Sequence, residues 1–208
     1  CEADAIDHEM KEQILELDVG SIILSPGYDK FDATIKGEYG YGRFKNVLTS
    51  LEFERILSAS GPYQGHVVRP FDEKEPKKIA WIQCVGSRDE VHGNGYCSSV
   101  CCTYAVKEAV IAKEHAGEFL EPTIFYMDMR TYGKDFDKYQ RRAADEYGVR
   151  FVRSKVSSTE EVPESKNLIL TYETEDGKIE HEEFELIVLS VGFNPPEDAK
   201  ELAGRLGI

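Results

Sequence analysis

Residues 77–86 read KKIAWIQCVG, and the fold turns on how that run is taken. From Ile79 to Val85 it is apolar except for Gln83 and Cys84, with no polar alternation, as in a strand buried on both faces of a parallel sheet. Downstream the period changes. TYAVKEAVIAKEHA (103–116) lines Ala105, Val106, Ala109, Val110 and Ala112 along one side of a helix. PTIFYMDM (122–129) reads as a second strand, DKYQRRAADEY (137–147) as a second helix closed by Gly148, and VRFVRS (149–154) as a third strand. Residues 167–192 read as a hairpin turning at Asp176–Gly177, followed by the strand ELIVLSVG. Two successive strand–helix units with short loops predict an α/β fold: a Rossmann-like three-layer sandwich around a parallel sheet, with a β-hairpin attached. The tail EDAKELAGRLGI reads as a short amphipathic helix.

Upstream the reading is more varied. EMKEQILEL (9–17) and GSIILSPG (20–27) are expected to form a strand pair bending near Asp18–Gly20. Residues 29–48, rich in Gly and Tyr without a clear period, read as connector. TSLEFERILSAS (49–60) predicts a helix capped by Thr49 or Ser50, with Glu52 reaching back and Ser60-Gly61-Pro62 ending it. The polar linker RPFDEKEP (69–76) marks a domain boundary at Pro76. The chain opens on Cys1 rather than Met, and this start is expected to be that of an excised fragment.

Composition narrows the function classes. The 208 residues carry a formal net charge of −14, with one Arg pair (Arg141–Arg142) and one Lys pair (Lys77–Lys78). Nucleic acid and anionic membrane surfaces call for clustered cations, so neither is expected as a partner. No apolar run nears the roughly 18 residues of a membrane span, and a cytoplasmic protein is expected. The acidic balance serves solubility, with a docking face for a basic protein as the second reading.

Four of the five cysteines stand between Cys84 and Cys102, in the pattern C-x12-C-x3-C-C. Cys84 ends the first strand, while Cys97, Cys101 and Cys102 sit at the mouth of the helix expected over 98–115. That junction is where ligands bind in open parallel sheets. The glycine turn G-x-G-x-x-G that would bring backbone to a pyrophosphate is absent there, which counts against nicotinamide binding. Cys97 and Cys101, four apart, would share a helix face, with Cys102 about 100° further round. Four thiolates beside a helix N-terminus suit an iron–sulfur cluster, whose negative charge the free N–H groups stabilise. A structural zinc site remains an alternative, although C-x2-C knuckles are missing. A redox disulfide and inert buried thiols are the others.

KKIAWIQCVGSRDE, YCSSVCCTYAVKEA, LTSLEFERILSASGP, YMDMRTYGKDFDKY and LIVLSVGF together resemble the A subunits of heterodisulfide reductases and related polyferredoxin-type iron–sulfur flavoproteins of anaerobes. The likeness spans nearly the whole chain. It implies a thioredoxin-reductase-like core, in which residues 1–76 are remnant strands, connector and helix of a flavin domain. Residues 77–185 would be a Rossmann-like insert, and residues 186–208 the strand and helix returning to the flavin domain. It implies a [4Fe–4S] cluster on Cys84, Cys97, Cys101 and Cys102, and FAD in the full-length protein. Electrons would pass between the flavin, other clusters and partner subunits of a reductase- or hydrogenase-type complex, with reduction of the mixed disulfide of coenzymes M and B as the end reaction. This chain departs from that pattern: it lacks the FAD-binding G-x-G-x-x-G and any C-x2-C-x2-C-x3-C-P ferredoxin run. Alone it is expected to carry out no complete reaction, and no catalytic residue is assigned. The rival readings are an NAD(P)H-dependent flavin or disulfide reductase domain and a non-catalytic docking module.

Several single residues carry weaker expectations. Asp128 takes the place of a ribose-binding acid but, without the glycine turn, reads as a cap or loop residue. Arg130 reads as a solvated side chain. His92 reads as an exposed loop histidine, with a spare-ligand or proton-donor role second. Arg88 and Lys107 read equally as surface charges or as charges that tune a cluster's potential. Trp81 and Tyr104 are expected in the core. No Ser/His/Asp arrangement or H-x-x-x-H spacing supports hydrolysis.

Overall fold

A computed structural model of the chain describes residues 5–208, so Cys1 lies outside the described residues. In chain order its strands and helices begin with β1 (Asp29–Lys30), β2 (Val47–Thr49), α1 (Ser50–Leu57), β3 (Lys78–Val85), α2 (Cys101–Ala116) and β4 (Glu121–Tyr126). They continue with α3 (Phe136–Asp145), β5 (Arg150–Arg153), β6 (Val156–Glu161), β7 (Leu168–Glu173) and β8 (Ile179–Phe184). The last are β9 (Leu186–Val191), β10 (Phe193–Asn194) and α4 (Ala199–Leu206).

The centre is a five-stranded sheet of order β2-β9-β3-β4-β5, parallel throughout. It confirms the expected α/β class. Alternation across β3 divides the core. Ile79 and Trp81 face α1, α2 and α3, packing with Phe53, Ile56, Val106, Ala109 and Ala143. Ala80 and Ile82 face the other way, against Phe31, Tyr39, Leu168, Leu170 and Phe184. The second flank is thus the antiparallel sheet β6-β7-β8, and not a further layer of helices. Two of its strands form the expected hairpin. The third, Val156–Glu161, is polar enough (VSSTEE) to give no strand signal in the sequence.

Two upstream expectations change. Residues 9–27 form no strand pair; Ile14 is 91% and Ile23 90% exposed, and no strand of the described chain pairs with either run. Alternating apolar residues make a strand only where a neighbour accepts their backbone hydrogen bonds. The connector 29–48 ends in the edge strand β2. Strand β9 lies between β2 and β3 with all six residues buried, as an unbroken apolar run requires. Both flanks of the expected 77–185 unit therefore contribute strands to its sheet. Helix α1 starts as expected: Thr49 and Glu52 close a reciprocal capping box.

The helix-side core contains one carboxylate. Glu108 is 2% exposed, and its Oε2 accepts a 2.9 Å hydrogen bond from Trp81 Nε1. Burial raises its carboxyl well above the ordinary glutamate range; the indole and Lys107 oppose the rise, and Glu54 adds to it. The folded chain therefore keeps a proton there that the unfolded chain loses above about pH 4.3. With the folded pKa raised, this contribution to stability is complete below the unfolded value and is lost as pH rises towards the folded one. Glu108→Gln cannot ionise, so it should flatten that decline. Denaturant unfolding of both proteins from about pH 5 to pH 8 reads it directly. Parallel stability curves would contradict the protonated state.

Candidate metal centre

Cys84 reaches the carboxyl edge of the sheet through an irregularity that no sequence pattern announces. The register of β3 against β9 shifts between Ile82 and Val85, and Cys84 itself has a left-handed φ of 61°. A bulge of this kind re-aims a side chain out of the alternating pleat, and a non-glycine residue there costs about 1–3 kcal/mol. The strand end is held close to β9: a Cβ on Gly192 would meet Gly86 O at 2.6 Å, so only glycine permits the approach.

The loop from Gly86 to Val100 is folded rather than slack. Asp89 and Asn94 exchange backbone hydrogen bonds of 2.8 and 2.9 Å, and Arg88 N–H donates to Tyr96 O at 2.7 Å. Ser87 ties the two ends together. Its hydroxyl accepts from Ser98 N at 3.0 Å and donates to Tyr96 O at 3.2 Å, while Ser98 Oγ accepts from Phe193 N at 3.0 Å. This brings Cys97 back beside the strand end. A small hydroxyl in a polar loop gives no sequence signal of that role.

Helix α2 begins at Cys101, three residues later than expected, after Ser99 with φ 65°. Cys97 therefore precedes the helix, and the shared helix face expected for Cys97 and Cys101 does not form. Loop geometry brings it near instead. No side chain caps the start of α2, whose first two residues are Cys101 and Cys102, so its positive dipole end lies at these two thiols.

The four thiols lie where β3 ends and α2 begins, at one edge of the sheet. Cys101 and Cys102 are buried, Cys84 and Cys97 half-buried. Cys101 Sγ donates to Val191 O at 3.7 Å, Cys102 Sγ to Asp128 O at 4.0 Å, and Cys97 Sγ accepts from Ser99 N at 3.3 Å. Burial pushes the Cys101 thiol up to about 12 and the Cys84 thiol up to about 11, and the neighbouring thiols add to both shifts. Tyr104 opposes the rise at Cys101, and Arg88 opposes it at Cys84. Cys102 is raised by burial, opposed by the backbone N–H of Arg130. Without a cation these groups hold their protons at neutral pH; a metal reverses that, because the thiolate is the ligand.

Among the described residues, no three His, Cys, Asp or Glu side chains close on a single-ion site. A tetrahedral zinc with Zn–S near 2.3 Å would need its sulfurs within about 4 Å of one another.

Other singled-out residues fall as follows. Asp128 pairs with Arg88 and, at 3.0 Å, with Arg130, so Arg130 is an ion-paired neighbour of the thiols and not a free surface charge. Lys107 is taken up by Glu54 at 2.7 Å. His92 Nδ1 is 2.9 Å from Asp89 Oδ2, and its ring meets Phe31 edge-on. Trp81 is in the core, and Tyr104 packs against it while donating to Val191 O at 3.0 Å.

Comparison with known proteins bears on what this edge serves. Over 99% of its length the chain is 48% identical to the A subunit of the H2/formate:CoB–CoM heterodisulfide,ferredoxin reductase of Methanococcus maripaludis. It is 46% identical over its whole length to the iron–sulfur A subunit of the CoB–CoM heterodisulfide reductase of Methanocaldococcus jannaschii. Its relatives are heterodisulfide reductase A subunits. A third, from Methanothermobacter thermautotrophicus, is 43% identical over the whole chain. The chain spans about a third of the length of these heterodisulfide reductase A subunits, 31%, 32% and 31% respectively. No family model matches it. Among solved structures, sulfide:quinone oxidoreductase from Aquifex aeolicus aligns with 58% of this chain and 26% of its own, at 16% identity and a TM-score of 0.29, too loosely to carry any argument. No helix among the described residues is long and apolar enough to cross a membrane.

Proposed function

We propose that Cys84, Cys97, Cys101 and Cys102 hold a [4Fe–4S] cluster, and that the chain is an electron-transfer segment of an iron–sulfur flavoprotein of the heterodisulfide reductase type. What supports this reading is that Cys84 lies at the end of β3, Cys97 in the loop that follows, and the buried Cys101 and Cys102 in the first turn of the uncapped α2. Such a cluster, when bound, takes up and gives out single electrons at a potential set by its surroundings. The chain's own residues supply those surroundings. Burial of Cys101 and Cys102 keeps water from two ligands, and the first N–H groups of α2 favour negative charge. Ser87 and Ser98 hold the Cys97 loop against the end of β3. In the longer protein, the relay would run between FAD, further clusters and partner subunits, towards the CoB–CoM heterodisulfide named for the relatives. A pyridine-nucleotide site in this unit is not favoured: the strand–helix turn carries cysteines in place of the glycine turn, and Asp128 is engaged by two arginines.

Anaerobic reconstitution with iron and sulfide should give a brown protein with about four irons and four sulfides per chain. Uptake of zinc alone, with no sulfide, would replace this reading with a structural metal site.

A further inference from the structure

The turns after β3 and β4 bring three charges to the thiols. Arg88, with a left-handed φ of 56°, directs its guanidinium across to the next turn, where Nη1 pairs with Asp128 Oδ1. Arg130 grips the other oxygen, Asp128 Oδ2, through Nε at 3.1 Å and Nη2 at 3.0 Å. One carboxylate thus holds two guanidinium groups, one on each oxygen. The Asp128 carbonyl itself stands 4.0 Å from Cys102 Sγ, which fixes this assembly against the thiols. Arg88 acts electrostatically on Cys84, and Arg130 on Cys97 and Cys102. Two cations against one anion leave a net charge of +1 beside the thiols, in a chain whose overall charge is −14.

We propose that Asp128 clamps Arg88 and Arg130 into a cationic pair that raises the reduction potential of a cluster held on the four cysteines. The proposal rests on the cluster reading above. One-electron reduction adds a negative charge at the thiols without making or breaking a bond to the protein, and a fixed positive charge nearby favours the reduced state. The three side chains are between 28% and 44% exposed, so solvent weakens the effect but does not remove it. Asp128 is a positioning residue here: it fixes the two arginines beside the thiols, while its own charge offsets part of theirs.

The test is a potentiometric titration of the reconstituted 208-residue chain with dithionite, followed by electron paramagnetic resonance, with iron content measured alongside. Arg88→Gln and Arg130→Gln should each move the midpoint to more negative values, and the double variant further than either. Arg130→Lys, which keeps the charge and loses the two-pronged grip, should fall between Arg130→Gln and the parent. Asp128→Asn removes the opposing negative charge while its one remaining carbonyl oxygen still accepts from a guanidinium group, and it should move the midpoint the opposite way. Opposed signs separate tuning from mere structural support, for which all variants would drift together. Midpoints that stay fixed, or that shift in one direction for both charge types, overturn the proposal while leaving the cluster assignment standing. A parent chain that takes up no iron and sulfide overturns both.

Discussion

Cys101→Ser should leave the reconstituted chain colourless, with its iron reduced from about four per chain to near zero. The site explains why so small a change has so large an effect. Cys101 opens α2, is 6% exposed, and has its thiol pushed up by burial to about 12. A serine hydroxyl fits the same space and meets the same neighbours, Val191 O and Tyr104, so the fold should survive. The chemistry does not carry over. The thiolate is a soft ligand suited to iron–sulfur clusters, and an aliphatic hydroxyl is far harder to deprotonate in the same dry pocket. Circular dichroism should therefore be unchanged while iron and sulfide are lost. A variant that folds and still takes up four irons would remove Cys101 from the ligand set.

Trp81→Ala should be the most costly single change to the fold. Trp81 is wholly buried on β3, packs edge-on against Phe53 with ring centroids 5.5 Å apart, and donates its indole N–H to Glu108. Truncating a buried tryptophan typically costs about 3–5 kcal/mol. The orphaned Glu108 acceptor adds to that, because a buried polar group without its partner loses roughly 1–3 kcal/mol. Against a total stability of about 5–15 kcal/mol, this is a large fraction. For a chain of this size the melting midpoint should fall by about 8–32 °C. Trp81 is the only tryptophan, so the variant must be followed by circular dichroism and not by indole fluorescence. Trp81→Phe keeps most of the ring and loses the donor, and its cost should lie near that of the lost hydrogen bond alone. If the alanine variant lost under about 1 kcal/mol, the close packing of α1 and α2 on β3 would be disproved.

Legibility in the sequence follows burial. Strands β3, β4 and β9 and helix α2 are apolar because both faces, or one whole side, are covered, and such runs can be read directly. The hairpin at Asp176–Gly177 and the Thr49 cap are legible through turn and capping chemistry. Strand β6 is not, since its residues face solvent over much of their length and carry no period. The apolar residues from Ile6 to Leu24 mislead in the other direction, because alternation records a capacity to pair and cannot supply the partner. At the candidate metal centre, the four cysteines are legible from their spacing, while the means of gathering them is not. The bulge at Cys84, the Ser87 tie and the late start of α2 are backbone events that depend on β9 arriving alongside. Arg130 gives no signal for a related reason: Arg88 is far off in sequence, and only the fold makes Asp128 common to both.

Strand β9 comes late along the chain yet sits inside the sheet, flanked by β2 and β3. As the polypeptide leaves the ribosome, β3, β4 and β5 can associate early, but the inner edge of β3 stays bare until residue 191 has been made. A strand edge left open through so much of translation invites pairing with another nascent chain, and closure over so long a loop is intrinsically slow. The centre on the four cysteines can take shape only after that closure, since Val191 and Gly192 brace both Cys101 and the turn after Cys84. Loading of the proposed cluster would thereby be confined to chains extended past residue 192, and a truncation before residue 186 would leave the thiols scattered and exposed to oxidation.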